Sequence, residues 1–344
     1  MLSHSNYVAN FSVLKFQNAL RFTTGDVLLS FLPAAHCFER FMEESMLMCG
    51  GAIGFYSGNV LLLGDDLFHL RPTKMPGVPS LFNRVYNNTM CKINESKVAK
   101  CLLPRACAAK KQLLEKHIVC NDTIWDCLIF RKLRNYFGGR LKALIISSAP
   151  FSPEILTFMR IALGCVIIEA YGATENSGAV CATMEGDCET GHVGPPCLCN
   201  KIKLVEIPEA ANIGTEKAGE ICIFGPSVFQ GYFKDPETTA KVIDKDGYLH
   251  TGDIGVWTER GTLRILGRKN SVFKLAQGEF IAPEKIENVY CRSPFISQVF
   301  VCGDKNRDYI IALVVPDFNN LKPALEPVIG PYLVNNPSAV CANE

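Results

Sequence analysis

The sequence has no C-x-x-C pair and no H-x-x-x-H or comparable histidine spacing, although it carries sixteen cysteines and six histidines. Its closest cysteines are Cys197 and Cys199, so nothing local spells a zinc site. No run of about 18 apolar residues is present, which leaves no candidate for a bilayer-spanning helix. The start, MLSHSNYVANFSVLKF, lacks a basic leading region and an unbroken apolar stretch, and so does not read as a signal peptide. An excess of one charge is missing too. Lys+Arg number 35 against 34 Asp+Glu, giving +1, which removes any charge argument for nucleic acid and leaves no polybasic arm for a membrane surface. Internal repeats and low-complexity stretches are absent. Four Asn-x-Ser/Thr sequons, at Asn10, Asn87, Asn94 and Asn121, stand without any other sign of secretion and read as chance matches.

What is there is globular: 344 residues, 48% hydrophobic and 20% charged. At roughly 150 residues per domain, two or three units are expected. Cysteines on apolar runs (Cys165, Cys222, Cys302) read as small core residues of a reducing compartment. Residues 4–20 read as a helix, Asp26 to Pro33 as a short strand and loop, 36–49 as a helix and 52–63 as a strand. Pro72, Pro76 and Pro79 punctuate a loop, 80–90 turns helical, and 91–135 reads as surface helices. A β-α-β unit follows: strand 141–146, helix 153–163 and strand 165–170. Strands so uniformly apolar indicate a parallel sheet covered on both faces, with ligands beyond its carboxyl ends. The loops leaving those ends are Ser147-Ser148-Ala149-Pro150 and Tyr171-Gly172-Ala173-Thr174-Glu175. From Gly191 to about Ile265 the texture changes to short alternating runs, as in a small antiparallel barrel or sheet. A helix near 283–291 and strands at 297–303 and 309–315 come next, before an irregular, proline-rich tail.

Asp253 lies in a Thr-Gly-Asp turn between two β-like runs, and Arg268 follows fifteen residues later in Gly-Arg-Lys. A carboxylate only accepts hydrogen bonds, so it suits paired ribose hydroxyls, whereas a guanidinium can bridge ribose and phosphate. Taken by themselves the two residues read more plainly as a polar hairpin with a solvated Asp and Arg. In Tyr171-Gly172-Ala173-Thr174-Glu175 the Gly frees a tight turn, the Thr hydroxyl suits a phosphate, the Tyr ring offers a face to a base and Glu175 suits Mg²⁺. An ordinary loop is the plainer reading of that run as well. His36 stands at a helix start, where a lone histidine is usually structural.

Length of match decides between these readings. Asp246–Lys269 resembles the hallmark motif of the fatty acyl-CoA synthetases, within the adenylate-forming enzymes. The Y-G-x-T-E run resembles that group's fifth core block. Ser147–Pro150 resembles its G-A-A-P block, with Ser147 where Gly is usual. Leu32-Pro33-Ala34-Ala35-His36-Cys37-Phe38-Glu39-Arg40 resembles L-P-x-x-H-x-x-E-R, and Lys274–Glu279 and Ala282–Glu287 resemble the long-chain subfamily's K-L-A-Q-G-E and A-P-E-K-I-E. Those last two runs disfavour a luciferase-like or peptide-synthetase domain. Gly219-Glu220-Ile221, Gly225-Pro226 and Gly231-Tyr232 match a further block, of mainly architectural role. Tyr248, Glu259 and Gly267 replace the usual Trp, Pro and Asp at positions that hold no ligand in the family.

The resemblance implies an α/β fold: parallel-sheet αβ subdomains plus a small β-barrel-like subdomain in a large AMP-binding domain (1–269), then an incomplete α+β C-terminal domain (270–344). It implies a long-chain fatty acid–CoA ligase that uses ATP, Mg²⁺ and CoA. By the same resemblance His36, Thr174 and Glu175 act in catalysis, with Glu175 on the metal. Ser147, Ser148, Ala149, Tyr171 and Gly172 border the nucleotide, Asp253 and Arg268 hold its ribose, Gly278 faces the pantetheine arm of CoA, and Asn270 is the hinge. Membrane association at the endoplasmic reticulum, mitochondria or peroxisomes is implied for the intact family. Its phosphate-binding loop, ending Pro-Lys-Gly, would precede the segment matched by Met1–Asn6, and no counterpart of its late catalytic Lys follows Asp317. The expectation is therefore a fragment with little or no ligase activity, the alternative being a non-catalytic truncated paralogue that binds nucleotide or acyl-CoA.

Overall fold

The chain folds around a six-stranded sheet of order β2-β1-β3-β4-β5-β6. Its strands are β1 (Val27–Ser30), β2 (Ala52–Phe55), β3 (Lys74–Gly77), β4 (Ala143–Ile146), β5 (Val166–Ala173) and β6 (Gly178–Ala182). The computed structural model describes residues 1–15, 21–149, 151–207, 217–277, 280–304 and 306–341. The first five strands run parallel and β6 closes the edge antiparallel to β5. Alternation along the strands feeds two cores. Leu29, Met75, Leu144, Ile146 and Ile167 face the helices Pro79–Glu95, Lys97–Glu115 and Pro153–Leu163. Leu28, Ile145 and Ile168 face Phe38, Phe41, Met42 and Met46 of the helix Cys37–Cys49. Both faces are thus covered, as a parallel sheet requires.

Several expectations fail locally. Of the expected helix 4–20, the described residues form an α-helix over His4–Asn10 and then a 3₁₀ turn Phe11–Lys15, while 16–20 lie outside the described residues. Strand 52–63 stops at Phe55, because Gly58 takes φ +88° and Val60–Leu62 winds into a 3₁₀ turn ahead of the helix Leu63–Leu70. The proline-punctuated loop contains the buried strand β3. Pro76 is tolerated there because β3 meets β1 through a single register pair, Leu28↔Lys74, and pairs fully only with β4. Tyr171–Ala173 is strand rather than loop.

The expected barrel-like part is an open four-stranded antiparallel sheet, β10-β9-β8-β7, with no closed barrel among the described residues. Its strands are β7 (Lys201–Glu206), β8 (Gly219–Phe224), β9 (Leu249–Trp257) and β10 (Leu263–Arg268). Ile221, Ile223 and Leu263 pack with Val180 and Cys181 of β6, which joins this sheet to the parallel one.

The chain divides into two compact units, the second running from Leu266 onward. That second unit holds the hairpin β11 (Phe273–Lys274) and β12 (Phe280–Ile281), the helix Pro283–Tyr290, and the ribbon of β13 (Ile296–Gly303) and β14 (Ile310–Pro316). Its tail is helical over Phe318–Val334 and Pro337–Cys341, contrary to the irregular ending expected from its prolines. Asp317 starts the first of these helices by accepting the Asn319 and Asn320 N–H groups on its carboxylate, and the break falls at Gly330, φ +82°. No described helix is long and apolar enough to cross a membrane. All sixteen cysteines are free thiols; Cys165 and Cys222 are buried and Cys302 is half-buried.

Candidate active site

Asp253 does not sit in a turn. Thr251-Gly252-Asp253 is a bulge inside β9: Glu220 pairs with Ile254 while Cys222 pairs with His250, so β9 carries two extra residues there. Gly252 opens the bulge at φ +73°. Three bonds then fix it. The Gly252 N–H donates to Glu220 Oε1 at 3.1 Å, the Asp253 N–H donates to Thr251 Oγ1 at 3.0 Å, and Thr251 Oγ1 donates to the Ile221 carbonyl at 2.8 Å. Bulges re-aim side chains, and this one turns the Asp253 carboxylate toward β5. There the Tyr171 hydroxyl donates to Asp253 Oδ2 at 2.6 Å. Burial first, and the Asp253 charge second, raise the Tyr171 phenol well above its ordinary range, so it remains a donor.

Tyr171 lies at a second bulge. Tyr171 pairs with Cys181 and Gly172 with Ala179, which leaves Val180 as an extra residue on β6. Gly172 is required here for a reason other than a tight turn. A Cβ at that position would overlap the Gly178 carbonyl across the strands.

β5 ends in a 3₁₀ turn, Thr174–Asn176. Glu175 is held twice in it: the Phe229 N–H donates to its carbonyl at 2.7 Å, and the Tyr232 hydroxyl donates to Oε1 at 2.9 Å. Burial, then the bond to Glu175, push the Tyr232 phenol up to about 12. Thr174 is exposed, with the Cys37 thiol against its hydroxyl; burial raises that thiol's pKa.

His36 is exposed and caps the helix Cys37–Cys49, its Nδ1 accepting the Phe38 N–H at 3.2 Å. In the neutral ring the proton then belongs on Nε2, which is left as a donor. Glu39 of the same helix is fully buried, accepts the Phe31 N–H at 3.2 Å, and is pushed up to about 7, chiefly by burial. Beyond β4, the Ser147 N–H donates to the Gly77 carbonyl at 3.2 Å. Ser148 takes a left-handed φ of +81°. Ala149 is exposed beside it.

The first unit therefore brings Tyr171 to Asp253, and Cys37 and Tyr232 to the Thr174–Glu175 turn. Arg268 ends β10 in the second unit, exposed, its carbonyl accepting the Ser271 and Val272 N–H groups at 3.1 Å each. Asn270 lies in that turn, also exposed. Gly278 lies outside the described residues. Sequence reasoning missed Tyr232, Glu220 and Cys37 as site neighbours. The first two fell in a block read as architectural, and only the fold sets them beside Glu175 and the Asp253 bulge.

The sequence matches the family of AMP-binding enzymes over residues 1–233. The chain belongs to that family. Among individual AMP-binding enzymes, it is 48% identical to long-chain-fatty-acid–CoA ligase 1 of Homo sapiens over 93% of its own length and 46% of that protein's. It is 42% identical to long chain acyl-CoA synthetase 6, peroxisomal, of Arabidopsis thaliana, over 94% and 46%. The A domain of carboxylic acid reductase from Segniliparus rugosus, solved in complex with AMP and a co-purified carboxylic acid, superposes with TM-score 0.70 at 28% identity, covering 93% of this chain and 47% of that one. The chain spans about half the length of the curated relatives it matches. No cluster of three or more His, Cys, Asp or Glu able to cage a metal occurs among the described residues. A lone carboxylate such as Glu175 instead fits Mg²⁺ that keeps its waters and rides on phosphates.

Proposed function

We propose that this chain supplies the nucleotide-facing part of a long-chain fatty acid–CoA ligase, an acid–thiol ligase that forms an acyl-adenylate from ATP and then an acyl-CoA. The observation that carries this reading is the bulge-aimed Asp253 carboxylate on the Tyr171 hydroxyl, 2.6 Å away. In this reading Asp253 accepts the ribose hydroxyls and Arg268 contributes from its own unit. The Tyr171 ring and the Gly172 backbone border the base, together with Ser147, Ser148 and Ala149. Thr174 contacts phosphate, and Glu175 would hold Mg²⁺, which when bound neutralises phosphate charge. His36, with Nε2 as its donor, orients the fatty carboxylate rather than serving as a base. Gly278 takes the pantetheine side of CoA. The large domain runs to residue 269 and the small one from 270, with Asn270 as the pivot of domain rotation. The intact protein works at an endoplasmic-reticulum, mitochondrial or peroxisomal membrane, a location supported for one relative by the word peroxisomal in its name. The alternative, a non-catalytic binder, is disfavoured because these relatives carry ligase and synthetase names.

Titration calorimetry of the chain with ATP and Mg²⁺ tests the reading. Removing a charged acceptor costs about 1.5–3 kcal/mol, so Asp253→Ala should weaken ATP binding by roughly 10–100-fold. Equal affinity in D253A and the unchanged chain would sink it. ATP–pyrophosphate exchange with and without a long-chain fatty acid then tests the acid specificity.

A further inference from the structure

We infer that Tyr232 is a positioning residue that fixes the Glu175 carboxylate for the magnesium carried by a bound nucleotide. This rests on the reading above and extends it to a residue that lies 57 positions from Glu175 in sequence. A glutamate side chain has three rotatable bonds, and Mg²⁺ demands near-ideal octahedral geometry. A carboxylate free to turn would meet that demand only part of the time. Here Tyr232 removes the freedom. Its hydroxyl spends its one proton on Oε1, and a carboxylate offers about four acceptor positions, so most of Glu175's capacity remains for a hydrated cation.

Tyr232 is itself held by its backbone and by its ring. Its backbone N–H donates to Thr239 Oγ1 at 2.9 Å, and that hydroxyl donates onward to the Asp235 carbonyl at 2.7 Å. Its ring meets Phe229 edge-on, centroids 5.0 Å apart at 75°. Phe229 in turn donates its N–H to the Glu175 carbonyl. The peptide just before it is pinned from afar, because Asn6 Nδ2 donates to the Pro226 and Val228 carbonyls at 2.8 Å each. The loop around 226–232 therefore grips Glu175 by both main chain and side chain. An oriented outer partner of this kind is how proteins tune a metal-facing ligand.

The test is a MgCl₂ titration of ATP binding to the full chain, read by calorimetry, in the unchanged protein, Tyr232→Phe and Glu175→Gln. Phe keeps the ring and its packing on Phe229 and removes only the hydroxyl. Y232F should raise the half-saturating Mg²⁺ concentration about 10-fold and leave ATP affinity without Mg²⁺ unchanged. E175Q should raise it at least as much, and the double variant should be no worse than E175Q, since both act through one carboxylate. If Y232F melts early, Thr239→Val, which removes the Tyr232 backbone anchor and its bond to the Asp235 carbonyl and leaves the Tyr232 hydroxyl in place, should show the same shift in smaller degree. Y232F matching the unchanged protein while E175Q loses its Mg²⁺ response overturns this inference alone. So does Y232F weakening Mg²⁺-free and Mg²⁺-supported binding equally, the mark of a merely structural role. No ATP binding in the unchanged chain, or an E175Q whose Mg²⁺ dependence equals that of the unchanged protein, overturns the reading of the site and this inference with it.

Discussion

The two β-bulges of the first unit do the same job by opposite means. At Tyr171 the strands β5 and β6 come so close at Gly172 and Gly178 that no Cβ fits at Gly172, although its φ is not positive. At Asp253 the glycine has open space around it and is needed for its left-handed φ of +73°. One bulge is set by crowding between strands and the other by backbone conformation. Both aim a polar side chain at the same hydrogen bond, Tyr171 to Asp253. A glycine in a strand can thus mark a site for two unrelated reasons, and only neighbouring backbone distinguishes them.

Substitution should separate the two. Gly172→Ala drives a methyl into the Gly178 carbonyl and should cost about 3 kcal/mol or more, read as a large fall in the urea midpoint or as insoluble protein. A variant as stable as the parent would show that the strands relax apart and that crowding is not the constraint. Next in size is a control away from both bulges. The Glu39 carboxyl is pushed up to about 7 from an ordinary 4.5 by burial. Its folded pKa is the higher one, so its contribution is fully present below about pH 4.5 and is lost as pH rises through about 7. Glu39→Gln should therefore flatten the fall in unfolding free energy between those values by up to about 3 kcal/mol. A pH profile parallel to the parent's would contradict that sign. Smallest is Gly252→Ala, where only the left-handed backbone resists, at about 1–2 kcal/mol. Its chemical melt should shift modestly, whereas its ATP affinity should fall toward that of D253A as Asp253 loses its aim. An intact affinity would mean that the carboxylate does not depend on the bulge.

Much of the fold was legible because parallel strands advertise themselves. Ala143–Ile146 and Val166–Ile168 are apolar throughout, since both of their faces are covered. Strand β3 was not legible, because Pro76 reads as punctuation until β4 supplies its partner. The tail misled in the other direction: prolines outweighed the Asp317 cap, which needs only local hydrogen bonds to begin a helix. In the site, Asp253, Tyr171, Thr174 and Glu175 stood out by resemblance, whereas the mechanism of the Tyr171–Asp253 pairing did not. Two bulges, each a register slip between paired strands, leave no periodic trace in the chain. In the loop after β4 the left-handed residue is Ser148, while the Ser147 N–H still bonds to the Gly77 carbonyl, which the replacement of the usual Gly at 147 did not reveal.

The sequence by itself determined the α/β class, the apolar strands and the family to which the chain belongs. Residue type and spacing along one chain are enough for each of these. Tertiary structure alone decided that Tyr171 meets Asp253, that Tyr232 meets Glu175, and which glycines are irreplaceable. The two pairings join side chains 82 and 57 residues apart in sequence, and the crowding at Gly172 comes from the Gly178 carbonyl on the neighbouring strand. Such an approach is set by how two sheets share the core around Val180, Cys181, Ile221 and Leu263. No local pattern encodes it, because a hydrogen bond's partner is chosen by packing.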